Sequence, residues 1–204
     1  MHRASIVVAD RDPESRNRLK KMLADTGYLV VGEAVSGSSA LRVIRNVSPD
    51  VSILSTNLLM PSGLEVARIC AEDHLGPTVL LLPKFDWTTI EKANENLATS
   101  YVVEPITQTS LASAIELAVA TYHRTAELET RLENLRERLE TRRAVERAKG
   151  VLMRRFKISE DEAYRVIQKK SMDSSKSMRQ VAEALLLAYD IESKAGGKPR
   201  PDSS

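Results

Sequence analysis

Charged and polar residues lie at or just after the ends of three short apolar runs: Asp10, Arg11 and Asp12 after the first run, Ser55 after the third and Glu104 after the fifth. Acidic side chains in such a group can help to hold Mg²⁺, which requires oxygen ligands in octahedral geometry. A carboxylate can also accept a phosphoryl group as a mixed anhydride, whereas a serine hydroxyl cannot form an acyl phosphate. Because Arg11 places a cation between two of the acids, the set departs from what metal-assisted phosphorylation of a carboxylate requires.

A second set of chemically suggestive residues has the spacing of one helix face. The basic stripe recurs at i, i+4, i+7 and i+11 and consists of Arg143, Arg147, Gly150 and Arg154. The opposing face is apolar and consists of Val145, Ala148, Leu152 and Phe156. A glycine in the middle of a helix costs about 1 kcal/mol relative to alanine, so Gly150 needs a reason. Either a neighbouring helix or a nucleic-acid backbone approaches closely there.

Further residues extend this candidate nucleic-acid surface: Lys149, Arg155, Tyr164, Lys169, Lys176 and Arg179. Each cation taken alone could be an ordinary solvated surface residue, and the cluster carries the argument. Tyr164 could stack on an unpaired base or take a half-buried position in the core.

Composition restricts the class of protein. The chain has 204 residues, of which 42% are hydrophobic and 28% charged, values typical of globular domains. Its single cysteine, Cys70, cannot form an internal disulfide, and neither a signal-peptide core nor a membrane-length apolar run is present. We therefore expect a cytoplasmic protein. Residues 1–120 carry 11 Lys/Arg against 14 Asp/Glu, whereas residues 141–190 carry 12 against 7. An acidic front half is thus joined to a basic module.

The apolar patterns predict the elements that position these residues. Five continuous apolar runs alternate with helical stretches, which predicts a doubly wound, five-stranded parallel sheet. The runs are Ile6–Ala9, Tyr28–Val31, Val51–Leu54, Thr78–Leu82 and Tyr101–Val103. From about Thr107 the pattern is helical, and capping boxes at Ser159/Glu162 and Ser177/Gln180 predict two further helices.

Alternating steps of four and three mark a leucine seam between these regions, formed by Leu128, Leu132, Leu135 and Leu139. Its charged flanks favour a coiled-coil dimer, and the alternative is a helix lying on its own domain. The predicted organisation is a first domain over residues 1–120, a coiled-coil linker helix over 121–140, a small three-helix domain over 141–190, and a disordered tail over 191–204.

The front half resembles the receiver domain of two-component response regulators, with its chemical positions altered. The segments VADRDPESRNRLKKML, DVSILSTNLLMPSGLEV and YVVEPI carry the resemblance. Counting back eight residues from Gly63 places Ser55 where receivers have the phosphorylated Asp. Arg11 replaces one of two adjacent acids, Glu104 replaces a Lys, and Leu82 lies at or near the switch hydroxyl position.

These departures imply a pseudo-receiver domain in which aspartyl phosphorylation is abolished. One hypothesis places Arg11 in the metal site, paired with Asp10, Asp12 or Glu104. The alternative is that Arg11 points into solvent.

Residues 141–190 resemble the ANTAR domain, a three-helix RNA-binding module of transcription antiterminators. The matching residues are Ala148-Lys149-Gly150, Val151-Leu152-Met153, the Ser159-led cap, Ala163-Tyr164, Met172, and Met178 through Val181-Ala182. Ser171 stands where an alanine is more usual.

This resemblance implies a homodimeric regulator that binds hairpins in leader transcripts and needs neither a metal nor another cofactor. A regulatory protein partner could act at the receiver-like domain. An enzyme is disfavoured because no nucleophile–base pair or glycine-rich phosphate loop is found. The competing interpretation is a DNA-binding response regulator, although the last predicted helix carries only Arg179 and Gln180 near its start.

Overall fold

The computed structural model describes residues 4–95 and 98–195, with the side chains of residues 192–195 outside the description. Five strands lie in the first half of the chain: β1 (Ser5–Ala9), β2 (Leu29–Ala34), β3 (Val51–Ser55), β4 (Thr78–Leu82) and β5 (Ser100–Val103). The helices found within the described residues are α1 (Pro13–Asp25), α2 (Gly37–Val47), α3 (Gly63–Glu72), α4 (Trp87–Glu95), α5 (Gln108–Phe156), α6 (Glu160–Ser174) and α7 (Met178–Ala195).

The strands form one parallel sheet in the order β2-β1-β3-β4-β5. The predicted doubly wound fold is confirmed, and each apolar run became a strand. Since the chain order reverses between β1 and β3, the crevice at the carboxyl ends of these two strands is where such folds place their working site. Asp10 follows β1 and Ser55 ends β3, so both lie at this crevice.

Two hydrophobic clusters cover the two faces of the sheet. On one face, Leu19 and Leu23 of α1 pack with Leu111 and Ile115 of α5. On the other face, buried residues of α2, α3 and α4 meet the remaining strand side chains. Because both faces are buried, the strands are continuously apolar rather than alternating.

Contacts divide the chain into two compact units, Met1–Glu127 and Leu128–Ser204. In the second unit, the C-terminal part of α5 packs with α6 and α7 around a small core. The buried residues of that core are Ala144, Val145, Ala148, Leu152, Ala163, Ile167, Val181 and Ala182. Among the described residues, no helix is both long and apolar enough to cross a membrane.

Both predicted capping boxes close the starts of their helices. The Ser159 hydroxyl accepts from the Glu162 amide at 3.3 Å, and Glu162 accepts from the Ser159 amide at 2.8 Å. Ser177 and Gln180 form the same reciprocal pair before α7. The prediction of a disordered tail from residue 191 is wrong at its start, because α7 continues to Ala195. The remainder of that predicted tail, residues 196–204, lies outside the described residues.

Candidate functional site

The two acids after β1 are engaged in local structure. Asp10 is buried, and its two carboxylate oxygens accept hydrogen bonds from the Asp12 amide and the Ser15 hydroxyl at 3.0 and 2.8 Å. Asp12 is the N-cap of α1 and accepts from the amides of Glu14 and Ser15. Both carboxylates therefore fix the β1–α1 turn.

Ser55 is buried at the end of β3 and cannot replace a carboxylate. Its hydroxyl accepts a 3.3 Å hydrogen bond from the Asn57 amide. The nearby Gly63 begins α3 so close to this strand that a Cβ would overlap the Ser55 carbonyl oxygen. A glycine is therefore required where α3 begins against the end of β3.

The remaining two positions of this set do not complete a site. Leu82 is fully buried at the end of β4. Glu104 is exposed and lies 3.9 Å from the Arg18 guanidinium of α1. The structure brings Asp10, Arg11 and Asp12 together with Pro13 and Asn57 around one open cleft, and Ser55, Leu82 and Glu104 do not line it.

Arg16, rather than Arg11, makes the cationic contacts beside the acids. One of its terminal nitrogens, Nη1, donates to the backbone carbonyls of Asp10 and Arg11 at 2.8 and 3.2 Å, and its Nε lies 3.5 Å from Glu33. The Arg11 side chain is exposed and has no ion pair within residues 4–95 and 98–195. The hypothesis that Arg11 pairs with these acids is therefore wrong, and the sequence did not point to Arg16.

These donors do not fit a magnesium ion. Mg²⁺ needs oxygen ligands in near-ideal octahedral geometry. Here Asp10 and Asp12 already accept hydrogen bonds from backbone amides or a hydroxyl. Arg11 lies between them in the sequence, and the Ser55 hydroxyl replaces the third carboxylate. No chemistry through such an ion follows from this site.

The basic stripe lies on an exposed face of α5. The side chains of Arg143, Arg147 and Arg154 are exposed. Arg143 pairs with Glu140 of the same helix at 3.1 Å, a solvated contact that stabilises little. On the opposing face, Val145, Ala148 and Leu152 are buried as predicted, but Phe156 is 59% exposed because α5 ends there.

Gly150 lies in the middle of the stripe with open space above it. A Cβ built there would meet only Arg154 Nη1, at an ordinary 3.6 Å, among the described residues. Of the two explanations offered for this glycine, the close approach of a neighbouring helix is wrong for the described chain. The approach of a nucleic-acid backbone stays a prediction.

Lys149 departs from its expected place on the surface. It is 7% exposed, and its ammonium group donates to Glu146 and Glu160 at 2.7 Å each. These hydrogen bonds raise the pKa of Lys149 and lower the pKa of Glu160. Lys149 therefore joins α5 to α6. Although it lies at the edge of the stripe, its amine is not exposed.

The candidate RNA-binding residues lie on separate surfaces. Arg147, Gly150 and Arg154 line one groove with α7. Tyr164, 42% exposed, lines another groove with Arg142. Lys169 of α6 and Lys176, which follows α6, are exposed. Arg155 is exposed beside the Phe156 ring. Arg179 pairs with Glu183 at 2.8 Å. The basic stripe therefore forms one surface, and the other candidate RNA-binding residues lie apart from it.

The leucine seam is exposed in the single chain. Leu128, Leu132, Leu135 and Leu139 are 48–62% exposed along the first part of the second unit. The four leucines lie at coiled-coil spacing on one face of α5, flanked by charges, and form an exposed apolar stripe.

Solved structures show the fold of the front half. A two-component response regulator of the LuxR family from Aurantimonas sp. matches 58% of this chain and 86% of its own at 28% identity and a TM-score of 0.55. The chemotaxis protein CheY4 of Vibrio cholerae matches 57% of this chain and 99% of its own at 21% identity and a TM-score of 0.53. Both matches describe a receiver fold.

Family comparisons define the class. The response regulator receiver domain matches residues 6–116, and the ANTAR domain matches residues 133–186. The chain belongs to the response regulators that carry an ANTAR domain, a family of transcription regulators of the antiterminator type.

Curated relatives agree. The transcriptional regulatory protein PdtaR of Mycobacterium tuberculosis is 34% identical over 181 residues, which cover 89% of this chain and 88% of the relative. The DNA-binding response regulator MtrA of Mycolicibacterium smegmatis is 30% identical over 115 residues, only 55% of this chain and 49% of its own length. The first relative is a transcriptional regulatory protein, and the second is a DNA-binding response regulator.

Proposed function

We propose that this protein binds RNA through the basic stripe and thereby prevents transcription termination. The observation that carries the proposal is the exposure of three arginines around Gly150, over which the described chain leaves open space. Guanidinium groups bind phosphate oxygens in a bidentate fork, and a helix without a Cβ at its centre admits a sugar–phosphate backbone closely.

The RNA ligands are hairpins in nascent leader transcripts. Contacts to phosphates position the module, and contacts to the loops supply recognition, because the bases of a loop are unstacked and accessible. When the bound hairpin excludes an overlapping terminator, polymerase continues. In this account residues 1–120 are the input domain, 121–140 the linker helix and 141–190 the RNA-binding domain, and the protein acts in the cytoplasm, where transcripts arise.

A homodimer formed along the leucine seam presents two such modules. Binding of the first module to one hairpin raises the effective concentration of the second module at a neighbouring hairpin. Covering the four exposed leucines supplies apolar burial at about 25 cal/mol per Å² removed from water.

The input domain is not switched by aspartyl phosphorylation. Ser55 cannot form an acyl phosphate, and the acids that would hold Mg²⁺ are used in the β1–α1 turn. Arg16 further holds that turn through two carbonyls. A protein partner at the receiver-like domain takes the place of phosphate as the signal.

RNA and DNA binding are separated by one comparison. Transcripts crosslinked to the protein in cells are sequenced, and one recovered segment is prepared both as RNA and as duplex DNA. Gel shifts should show tighter binding to the RNA, with log affinity falling by about 0.7 per neutralised single-strand phosphate for each unit of log salt. Tighter binding to the duplex would instead favour a DNA-binding response regulator.

The phosphorylation claim has its own assay. Incubation of the full chain with acetyl phosphate and Mg²⁺ should leave its intact mass unchanged. The triple variant Arg11→Asp, Ser55→Asp, Glu104→Lys restores the expected donor types and serves as the positive control. A phosphoryl adduct on the wild-type chain would contradict this part of the proposal.

A further inference from the structure

A groove of about 460 Å³ lies between α5 and α7 beside the basic stripe. Arg147, Gly150 and Arg154 form its α5 side, and Tyr189 and Asp190 of α7 contribute the other side. Gly150 makes the α5 wall low, because no side chain fills that position. The groove is thus open beside two guanidinium groups.

Tyr189 is the aromatic residue of this groove. It is half-buried, and its hydroxyl makes no hydrogen bond to any residue in the part of the chain that the structure describes. Its ring is partly exposed where it lines the groove. Tyr164, the tyrosine that the sequence singled out, lines a different groove with Arg142 and Met178.

Charge in the groove decides what part of an RNA fits there. Glu146 and Asp190 also line it, and the Glu146 carboxylate is paired with Lys149 at 2.7 Å. A nucleobase is neutral and planar, so it can stack on the Tyr189 ring, whereas a phosphate group cannot. The phosphates then fall on the outward guanidinium groups of Arg147 and Arg154, while a base enters between the helices.

We propose that Tyr189 forms the stacking wall of a subsite for one unpaired RNA base, next to the basic stripe. This inference rests on the proposed RNA binding and assigns the base contact to α7 rather than to Tyr164. Stacking on an aromatic ring tolerates any base, because every base presents a π face.

The test uses the full chain and two matched RNA probes. One probe is a fluorescein-labelled hairpin pool with a fixed stem and a randomised loop, and the other is the same stem as a blunt duplex RNA. Tyr189→Leu, which keeps apolar contact and removes the aromatic ring, should weaken hairpin binding by about 5- to 150-fold. Tyr189→Phe should bind as the wild type does. Neither change should alter binding to the blunt duplex.

Controls separate the possible failures. Tyr101→Leu, at an exposed tyrosine of β5 outside the candidate RNA surface, should leave hairpin affinity unchanged, and thermal melting should show that each variant is folded. In a hairpin pool whose loop carries 5-iodouridine, light should attach RNA to Tyr189. Wild-type affinity in Tyr189→Leu, or crosslinks at Tyr164 instead, would overturn the subsite and leave RNA binding intact. If the wild-type chain binds neither probe, the proposed function fails and the subsite with it.

Discussion

The ammonium group of Lys149 on α5 donates a 2.7 Å hydrogen bond to the carboxylate of Glu160 at the first turn of α6. Lys149→Met keeps the aliphatic stem and removes this tie together with the one to Glu146. We expect a modest decrease in the melting temperature of the second unit, with RNA affinity retained where the variant is folded. Lys169→Met, which removes an exposed lysine of α6, is the matched control and should not lower the melting temperature.

The same contact predicts a pH dependence. Because the pKa of Glu160 is lowered from 4.5, its contribution is complete above 4.5 and is lost as the pH falls through the lowered pKa. Because the pKa of Lys149 is raised from 10.5, its contribution is complete below 10.5 and is lost as the pH rises through the raised pKa. The stability difference between wild type and Lys149→Met should therefore be flat between these limits. A difference that changed steadily across neutral pH would argue against the tie.

Arg16 and Arg11 should differ sharply in their effect on stability. Arg16 is mostly buried and donates to the carbonyls of Asp10 and Arg11, so Arg16→Met should lower the free energy of unfolding by about 1–3 kcal/mol. Arg11→Ala should stay within about 0.5 kcal/mol, since its side chain is exposed. Urea denaturation of the two variants measures both values. The reverse order would return Arg11 to the role of holding the acids.

The leucine seam should control the oligomeric state. Leu132→Arg combined with Leu135→Arg places two charges in the seam and should convert a dimer to a monomer in sedimentation experiments. Leu187→Arg, at a position of α7 that is 64% exposed, is the matched control and should remain dimeric. If the double variant sediments like the wild type, the chain does not associate along this seam.

Gly150→Ala should separate stability from binding. An added methyl group has room, and alanine favours a helix by about 1 kcal/mol over glycine, so the melting temperature of the second unit should rise. RNA affinity should fall, because the methyl group occupies the space into which the backbone of the ligand would come. A stabilised variant with unchanged affinity would mean that nothing approaches α5 closely at this point.

The sequence was sufficient for the sheet and the capping boxes, because both depend on local patterns. The run Thr78–Leu82 became β4 with the predicted bounds, and Ser159 caps α6 as predicted. Side-chain partners were harder to predict, since they depend on how the helices pack. In the sequence, Lys149 cannot be told apart from exposed cations such as Arg147 and Arg154. Only the packing of α6 against α5 shows that two glutamates bind its ammonium group.

The receiver-like crevice shows the same division. That Ser55, Arg11 and Glu104 replace the expected residue types could be read from the sequence. The sequence did not show which cation stabilises the β1–α1 turn, because Arg11 and Arg16 both lie near the acids along the chain. Only the path of α1 brings Arg16 back to the carbonyl of Asp10 at 2.8 Å.

Charge reversal of the basic stripe tests most directly whether this stripe binds RNA. The variant Arg143→Glu, Arg147→Glu, Arg154→Glu is compared with Lys21→Glu, Arg42→Glu, Lys84→Glu, which changes the net charge equally at exposed positions of the front half. In gel shifts with a transcript recovered by crosslinking, the first variant should lose RNA binding and most of its salt dependence, while the second should bind like the wild type. Unchanged affinity in the stripe variant, once melting has shown it to be folded, would contradict the account.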